Sequence, residues 1–320
     1  MTTQGKEKIT RAEMKNALLR SGYLLELRVE SKLRELWGYV EANATYPDRE
    51  TGISREFDIF GLTARRVGTE GLDFIWGALL IECVNNPQPL VILTKEPIVG
   101  YLYHEEVKMS GLPVKIPNEK LEDGWQRLSE FLAMQDYHHY CKGRIGTQYC
   151  SFVKKKSGDK KINDEWMAMH EGSHYESFRK LCDVTDYHID KHFKSWKFGG
   201  EERVNIEFYY PLIIVQGDLI EAYETKRSVG FRAAEHLQFR QSVATNRNVV
   251  DYQIDVIRER YLPKYLDLVD AELKKTARLL HRRHIIVRSA IDRIVERAKS
   301  SDSQEQVRNI MDYDRWQQDW

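Results

Sequence analysis

The sequence predicts an α/β protein, on three observations. A segment of helical period, Tyr23 to Trp37, leads into strand-like runs at Tyr39 to Tyr46, Glu56 to Ala64, Phe74 to Cys83 and Leu90 to Leu93. A second β-rich run, Val204 to Val215, lies far downstream. A long amphipathic helical pattern then occupies Val249 to Lys299.

Taken in order, Thr10 followed by Glu13 reads as a capping box opening a first helix, which Ser21-Gly22 breaks. Leu25, Val29, Leu33 and Leu36 mark one face of the second helix, and Gly38 ends it. Pro47 to Gly52 is a turn rich in breakers. Val99 to Pro117 is irregular, and Leu121 to Tyr140 has helical spacing. Gln148 to Lys154 reads as a short strand, and Asn163 to His192 as mostly helical with a break near Asp183. Val204 to Val215 and Leu219 to Tyr223, joined at Gly217-Asp218, read as a hairpin. Phe239 to Val243 adds a strand, and the C-terminal helical pattern breaks near Pro263. The expected division is a core at 10–100, a mixed helical and β elaboration at 101–250, a basic amphipathic helix at 251–300 and a polar tail at 301–320.

Lys+Arg and Asp+Glu both total 49, so net charge points to no polyanionic partner, and a basic surface must come from local clustering. No apolar run reaches the roughly 18 residues needed to span a bilayer. Met1 to Lys8 is polar, with no apolar core of a signal peptide. Cys83, Cys141, Cys150 and Cys182 follow no framework spacing and read as reduced thiols of a cytoplasmic protein.

Three carboxylates sit at the edges of apolar runs. Glu26 is on the second helix, Asp58 lies in Arg55-Glu56-Phe57-Asp58-Ile59, and Glu82 lies in Ile81-Glu82-Cys83-Val84-Asn85-Asn86. Consecutive strands can set Asp58 and Glu82 side by side, with Glu56 on the face of Asp58 by strand period. Taken singly, such acids are ordinary strand-end surface residues. Oxygen ligands of this kind suit Mg²⁺ or Mn²⁺, which activate water for phosphodiester hydrolysis.

In this order, Gly22-Tyr23-Leu24-Leu25-Glu26, Asp58 and Ile81-Glu82-Cys83 resemble the core of the PD-(D/E)xK, or restriction-endonuclease-like, nucleases. The resemblance covers roughly residues 20 to 95. It implies a mixed central sheet flanked by helices, Asp58 and Glu82 as ligands of Mg²⁺ or Mn²⁺, and Glu26 as a supporting acid. It also implies action on nucleic acid, DNA rather than RNA, in a setting such as bacterial defence. The motif lysine, which positions the attacking water, is Val84 here. Three readings follow: a degenerate nuclease that only binds nucleic acid or a partner, a lysine that has migrated with Lys95 nearest in sequence, or an inactivating substitution.

Other motifs compete. His170-Glu171-Gly172-Ser173-His174 matches the H-E-x-x-H metalloprotease pattern, which needs His170 and His174 on one helical face. Gly172 weakens that helix, no third ligand is marked, and two ordinary helix histidines are the simpler reading; His188 and His192 repeat the spacing. His138, His139, Cys141 and Cys150 fit no common zinc template, so zinc is not expected. Lys274, Lys275, Arg278, Arg282 and Arg283 give the C-terminal helix a cationic face suited to phosphates, or to plain solvation. Its apolar face is expected to be buried or to pair with a second copy in a homodimer. The resulting expectation is a metal-dependent nuclease, with a non-catalytic nucleic-acid-binding or scaffold protein on the same fold as the alternative.

Overall fold

A computed structural model describes residues 8–48, 51–97, 107–121, 124–155, 165–170, 172–195, 202–226, 228–244 and 249–300. The first elements are α1 (Arg11–Arg20), α2 (Tyr23–Leu36), β1 (Tyr39–Pro47), β2 (Ser54–Arg66), β3 (Phe74–Val84) and β4 (Leu90–Lys95). The middle holds β5 (Met109–Leu112), β6 (Lys115–Pro117), β7 (Trp125–Arg127), α3 (Leu128–Phe131), β8 (Ile145–Lys155), β9 (Glu165–Met169) and α4 (Gly172–Ser195). The last part holds β10 (Asn205–Val215), β11 (Leu219–Glu224), β12 (Val229–Ala233), β13 (His236–Ala244), β14 (Val249–Arg258), α5 (Leu262–Arg282) and α6 (His284–Ser300).

These make a mixed α/β protein around a 12-stranded sheet ordered β1-β2-β3-β10-β14-β13-β8-β4-β11-β12, with β5 and β9 attached at its sides. Among the described residues β6 and β7 form a separate pair. The capping box is present: Thr10 Oγ1 accepts from the Glu13 N–H, and the Thr10 N–H donates to Glu13. Gly38 takes φ 146, and a Cβ there would lie 2.9 Å from Leu62 O, so glycine lets the chain turn from α2 straight into β1.

β1, β2 and β3 are antiparallel neighbours, whereas β3 and β10 are parallel from Phe74↔Asn205 to Val84↔Val215. Side chains alternate between two apolar clusters. Leu79 and Ile81 of β3 join Leu25, Val29 and Leu33 of α2 and Val269 and Leu273 of α5. Ala78 and Leu80 join Phe178 and Leu181 of α4 on the other face. Each such aliphatic side chain contributes roughly 2 kcal/mol on full burial. Packing on both faces is therefore the main attachment of α2, α4 and α5 to the sheet.

The structure departs from the sequence expectations at several points. Val204 to Tyr223 is not a hairpin: β10 pairs with β3, β14 and β5, and β11 with β4 and β12. The connection bends because the Gly217 N–H donates to Asn86 Oδ1 at 2.8 Å, and the Gln216 N–H donates to Val84 O. Residues 165–169 are a strand paired to β8, and α4 runs unbroken through Asp183, where Arg179 and Asp183 pair at i, i+4. Among the described residues, Leu121 to Tyr140 holds the four-residue α3, short 3₁₀ turns and β7 rather than one long helix. Residues 249–258 are strand, and the helix starts after them with Pro263 in its first turn. β4 pairs with β8 and β11, not with the strands of Asp58 and Glu82.

The C-terminal helical region is long but divided at Arg283 into α5 and α6. Its apolar stripe, including Leu266, Val269, Leu273, Leu280, Val287 and Ile291, is buried within the chain itself, so it is not left for a second copy. The tail at 301–320 lies outside the described residues. Among the described residues no helix is long and apolar enough to cross a membrane. The four cysteines are free thiols.

A Cβ added at Gly217 would lie 2.2 Å from the backbone oxygen of Asn86. Gly217→Ala is therefore expected to destabilise the fold by about 1–3 kcal/mol, as overpacking does. Chemical denaturation would check this, and an unchanged midpoint would show that the β10–β11 bend is loosely held.

Candidate functional site

The carboxyl end of β3 gathers polar groups that strand and helix geometry place there. Pairing of β2 with β3 stops at Ile59↔Ile81, so beyond it the two strands separate. Asp58 stands at this divergence, and its Oδ2 accepts from the Cys83 N–H at 2.6 Å. Opposite it on β1, Asn43 takes φ 52, and there the β1–β2 ribbon turns over. Phe57 thus packs into one apolar cluster and Ile59 into the other.

Glu82 follows strand alternation onto the face covered by α4, with Leu80 and Val84. It is 4% exposed. From α4, Lys180 reaches down and its Nζ lies 2.9 Å from Glu82 Oε2. Oε1 of Glu82 is buried with no hydrogen-bond partner. The Asp58 N–H faces this carboxyl without closing a hydrogen bond. Glu26 occupies the first turn of α2; its Oε1 would be 3.2 Å from a Cβ on Gly22, which itself would be 3.7 Å from Cys83 O. Asn85 ties this corner together by donating to Ser21 O at 3.3 Å.

Electrostatics couple these groups. Burial raises the pKa of Glu82 to about 7, Asp58 pushes it the same way, and Lys180 opposes both. Burial raises Asp58, against the Cys83 N–H and Lys180. Burial and then the charge of Asp58 raise Glu26, against Lys180. Among the described residues the ligand atoms of the three carboxylates do not all lie within 4.8 Å of one another. Chemically, an unpartnered buried carboxylate oxygen beside a second carboxylate is a harbour for a hard divalent cation that keeps several waters.

The sequence reading brings Glu26, Asp58 and Glu82 to one corner, and the structure places them there. It does not find the amine. Val84 is half-buried in the α4-side cluster and shares the face of Glu82. Lys95 lies at the far end of β4 opposite Ile145, about 16 Å of strand past Leu90 at ~3.3 Å per residue, and is not part of this corner. The amine that does reach Glu82 is Lys180 of α4. The available signal was a lysine bordering the apolar pair Phe178 and Leu181 in a helix that must cover the sheet. Glu56 is exposed.

The remaining candidates fall elsewhere. His170 follows β9 and precedes α4, so His170 and His174 do not share a helical face, and the metalloprotease pattern has no helix to sit on. Both rings instead pack around Tyr149, at 4.2 and 6.3 Å between centroids. His170 borders a groove of about 800 Å³ that is also lined by Lys95, Tyr149 and Arg240. His188 stacks on Phe60 at 4.7 Å, and His192 Nδ1 lies 2.7 Å from Ser110 Oγ. Lys274, Lys275, Arg278 and Arg282 belong to α5, with Arg283 just past its end, and α5 packs on the face of the sheet opposite α4 and Lys180. Lys274 pairs with Asp270, Lys275 lies over the Tyr137 ring, and Arg283 donates to Phe131 O.

In comparisons with known proteins, no family model matches the chain, and no curated protein and no solved structure matches it significantly.

Glu82 yields a pH dependence. Its folded pKa of about 7 lies above the ordinary 4.5, so its contribution to stability is fully present below about pH 4.5 and is lost as pH rises through about 7. In chelator, unfolding free energy is expected to fall by roughly 2–3 kcal/mol across that window through this group. Glu82→Gln should flatten the fall and be the more stable chain at pH 8. Urea midpoints at pH 5 and pH 8 check it; parallel pH profiles for the two chains would show that Glu82 ionises freely in the fold.

Proposed function

We propose that the chain is a metal-dependent nuclease of PD-(D/E)xK type, hydrolysing phosphodiester bonds of DNA, with Lys180 in place of the motif lysine. The observation that carries this reading is the Lys180 Nζ–Glu82 Oε2 contact at 2.9 Å beside a second, unpartnered oxygen of the same carboxylate. The order β1-β2-β3-β10, antiparallel up to β3 and then parallel, with α2 on one face and α4 on the other, supports the same reading.

Asp58 and Glu82 fit Mg²⁺ or Mn²⁺ by donor type and by the open Glu82 oxygen. Such an ion, when bound, lowers the pKa of a water and offsets charge on the phosphate. Asp58 is fixed for this role by the Cys83 N–H, which keeps one oxygen engaged and orients the other. Glu82 holds the Lys180 ammonium at the rim of the pair, where it can orient the attacking water and face a phosphate oxygen. Glu26, on α2, is suited to accept a hydrogen bond from a water in the same corner. The water oxygen bonds to phosphorus in line as the bond from phosphorus to the leaving sugar oxygen breaks.

The side chain at 84 shares the face of Glu82, so the amine has two equivalent origins, helix α4 or β3. Lys180→Ala is expected to lower cleavage of plasmid or single-stranded DNA in Mg²⁺ or Mn²⁺ by about 100-fold or more. Lys180→Ala combined with Val84→Lys should recover part of it. Asp58→Asn should abolish cleavage. Cleavage by Asp58→Asn equal to that of the parent chain would overturn the reading. Metal-dependent DNA binding with no cleavage by any of these chains would instead favour a non-catalytic binding protein.

A further inference from the structure

A second polar cluster lies inside the protein, away from the β3 corner, and no step above uses it. His139 comes from the 3₁₀ turn His139–Cys141, His236 from the start of β13, Asp255 from the middle of β14, and Glu272 and Tyr265 from α5. Asp255 is 0% exposed and Glu272 5%. Two carboxylates at such depth demand compensating positive charge.

The hydrogen bonds orient this cluster as a ligand set. His139 Nδ1 lies 3.0 and 2.9 Å from the two oxygens of Glu272, and the His139 backbone N–H donates to Glu272 Oε1 at 2.6 Å. Nδ1 therefore carries a proton, and the ring turns Nε2 toward Asp255 Oδ2 at 3.0 Å. His236 Nε2 approaches Asp255 Oδ1 at 2.6 Å, and Tyr265 donates to Asp255 Oδ2 at 2.6 Å. Gln238 and Gln253 clamp the turn by donating to the carbonyls of His139 and Tyr140. The Tyr140 hydroxyl, on a residue 1% exposed, faces Asp255 but closes no hydrogen bond. A buried phenol aimed at a carboxylate without engaging it is an unmet donor.

We propose that His139 Nε2, His236 Nε2 and Asp255 form a binding site for one first-row divalent transition ion, zinc by donor type, with Glu272 as the carboxylate that holds His139 in its ligating tautomer. The ligand atoms of His139, His236 and Asp255 lie within 4.8 Å of one another. Two imidazole nitrogens and a carboxylate suit zinc, with Tyr140, Tyr265 or a water as fourth ligand. A carboxylate on the far nitrogen of a ligating histidine is the usual support of such a site. A divalent ion bound there would offset the charge of both buried carboxylates. The neighbouring set of His138, His139 and Glu272 is the poorer site. His138 Nδ1 accepts from the Tyr140 N–H at 3.2 Å, so its proton sits on Nε2, and His139 offers Glu272 an N–H rather than a lone pair. The ion would tie β13, β14 and the 139–141 turn directly, and α5 through Glu272.

The full chain, purified without chelator, would be assayed for metal content, then stripped and titrated with Co²⁺ while visible absorption is followed. One first-row ion per chain, and a Co²⁺ spectrum of a four-coordinate nitrogen and oxygen site, are expected. His236→Gln, a change at a half-buried ring, should weaken binding about 100-fold or more, and Glu272→Gln about 10–100-fold. Asp58→Asn should leave it unchanged, which separates this site from the one at β3. Far-UV circular dichroism equal to that of the parent verifies each variant fold. Failure of the parent chain to take up Co²⁺ or Zn²⁺ would overturn the proposal whatever the variants do, as would a Co²⁺ spectrum that survives in folded His236→Gln.

Discussion

The parallel pairing of β3 with β10 is the constraint on which the rest depends. The two strands run together from Phe74 and Asn205 to Val84 and Val215, with apolar clusters pressed on both faces. Parallel strands covered on both sides read as nearly continuous apolar runs, as Ala78 to Ile81 and Leu212 to Val215 do. Any carboxylate on such a strand is forced out of water. Burial lifts Glu82 to a pKa of about 7, and Glu207 on β10 likewise to about 7. These acids are costly to the fold, and what surrounds them decides what they can do.

The molecule meets that cost in two ways. Asp255 and Glu272 sit among His139, His236 and Tyr265, and the histidines hold both carboxyls below their ordinary range against burial. That arrangement fixes the geometry of the whole group, because breaking any one pair would strand a charge in the core. Glu82 is treated differently. It has one cationic partner, Lys180, which is partly in solvent, and one oxygen with no partner. A half-satisfied carboxylate at the end of a strand pair, beside Asp58, is a site kept for something else. The contrast separates a closed, pre-arranged cluster from an open one within a single sheet.

Much of the corner at β3 was legible in the sequence because its parts are local. α2, β1, β2 and β3 follow one another with short turns, helical period sets Leu25, Val29 and Leu33 inward, and consecutive strands carry Asp58 and Glu82. What failed depends on distant partners. Glu165 to Met169 buries neither face, its apolar Trp166, Met167 and Met169 all standing exposed, and is a strand because β8 offers it an edge. Leu219 follows Val215 after a Gly-Asp turn signal. The chain does not reverse there because Asn86, 131 positions away in sequence, takes the Gly217 N–H. Val249 to Arg258 merges with the helix after it because Ile254, Val256 and Ile257 are all buried, which blurs the two-residue period. Asp255 in that run and Glu272 within the stripe of Val269 and Leu273 were visible as acids in apolar company, a signal of the buried cluster.

On the nuclease reading proposed above, Lys180 would supply from α4 the charge that the motif carries at position 84. A lysine at 84 would have to thread its stem through the cluster where Val84 packs beside α4. Lys180 instead lies on the helix, with its stem along the cluster border and its nitrogen at the rim, the course that long basic side chains follow at low cost. Val84 is packed against that cluster. The charge near Glu82 is the same in either case. A motif read along one strand misses this, since what the chemistry requires is a position in space that two elements can reach.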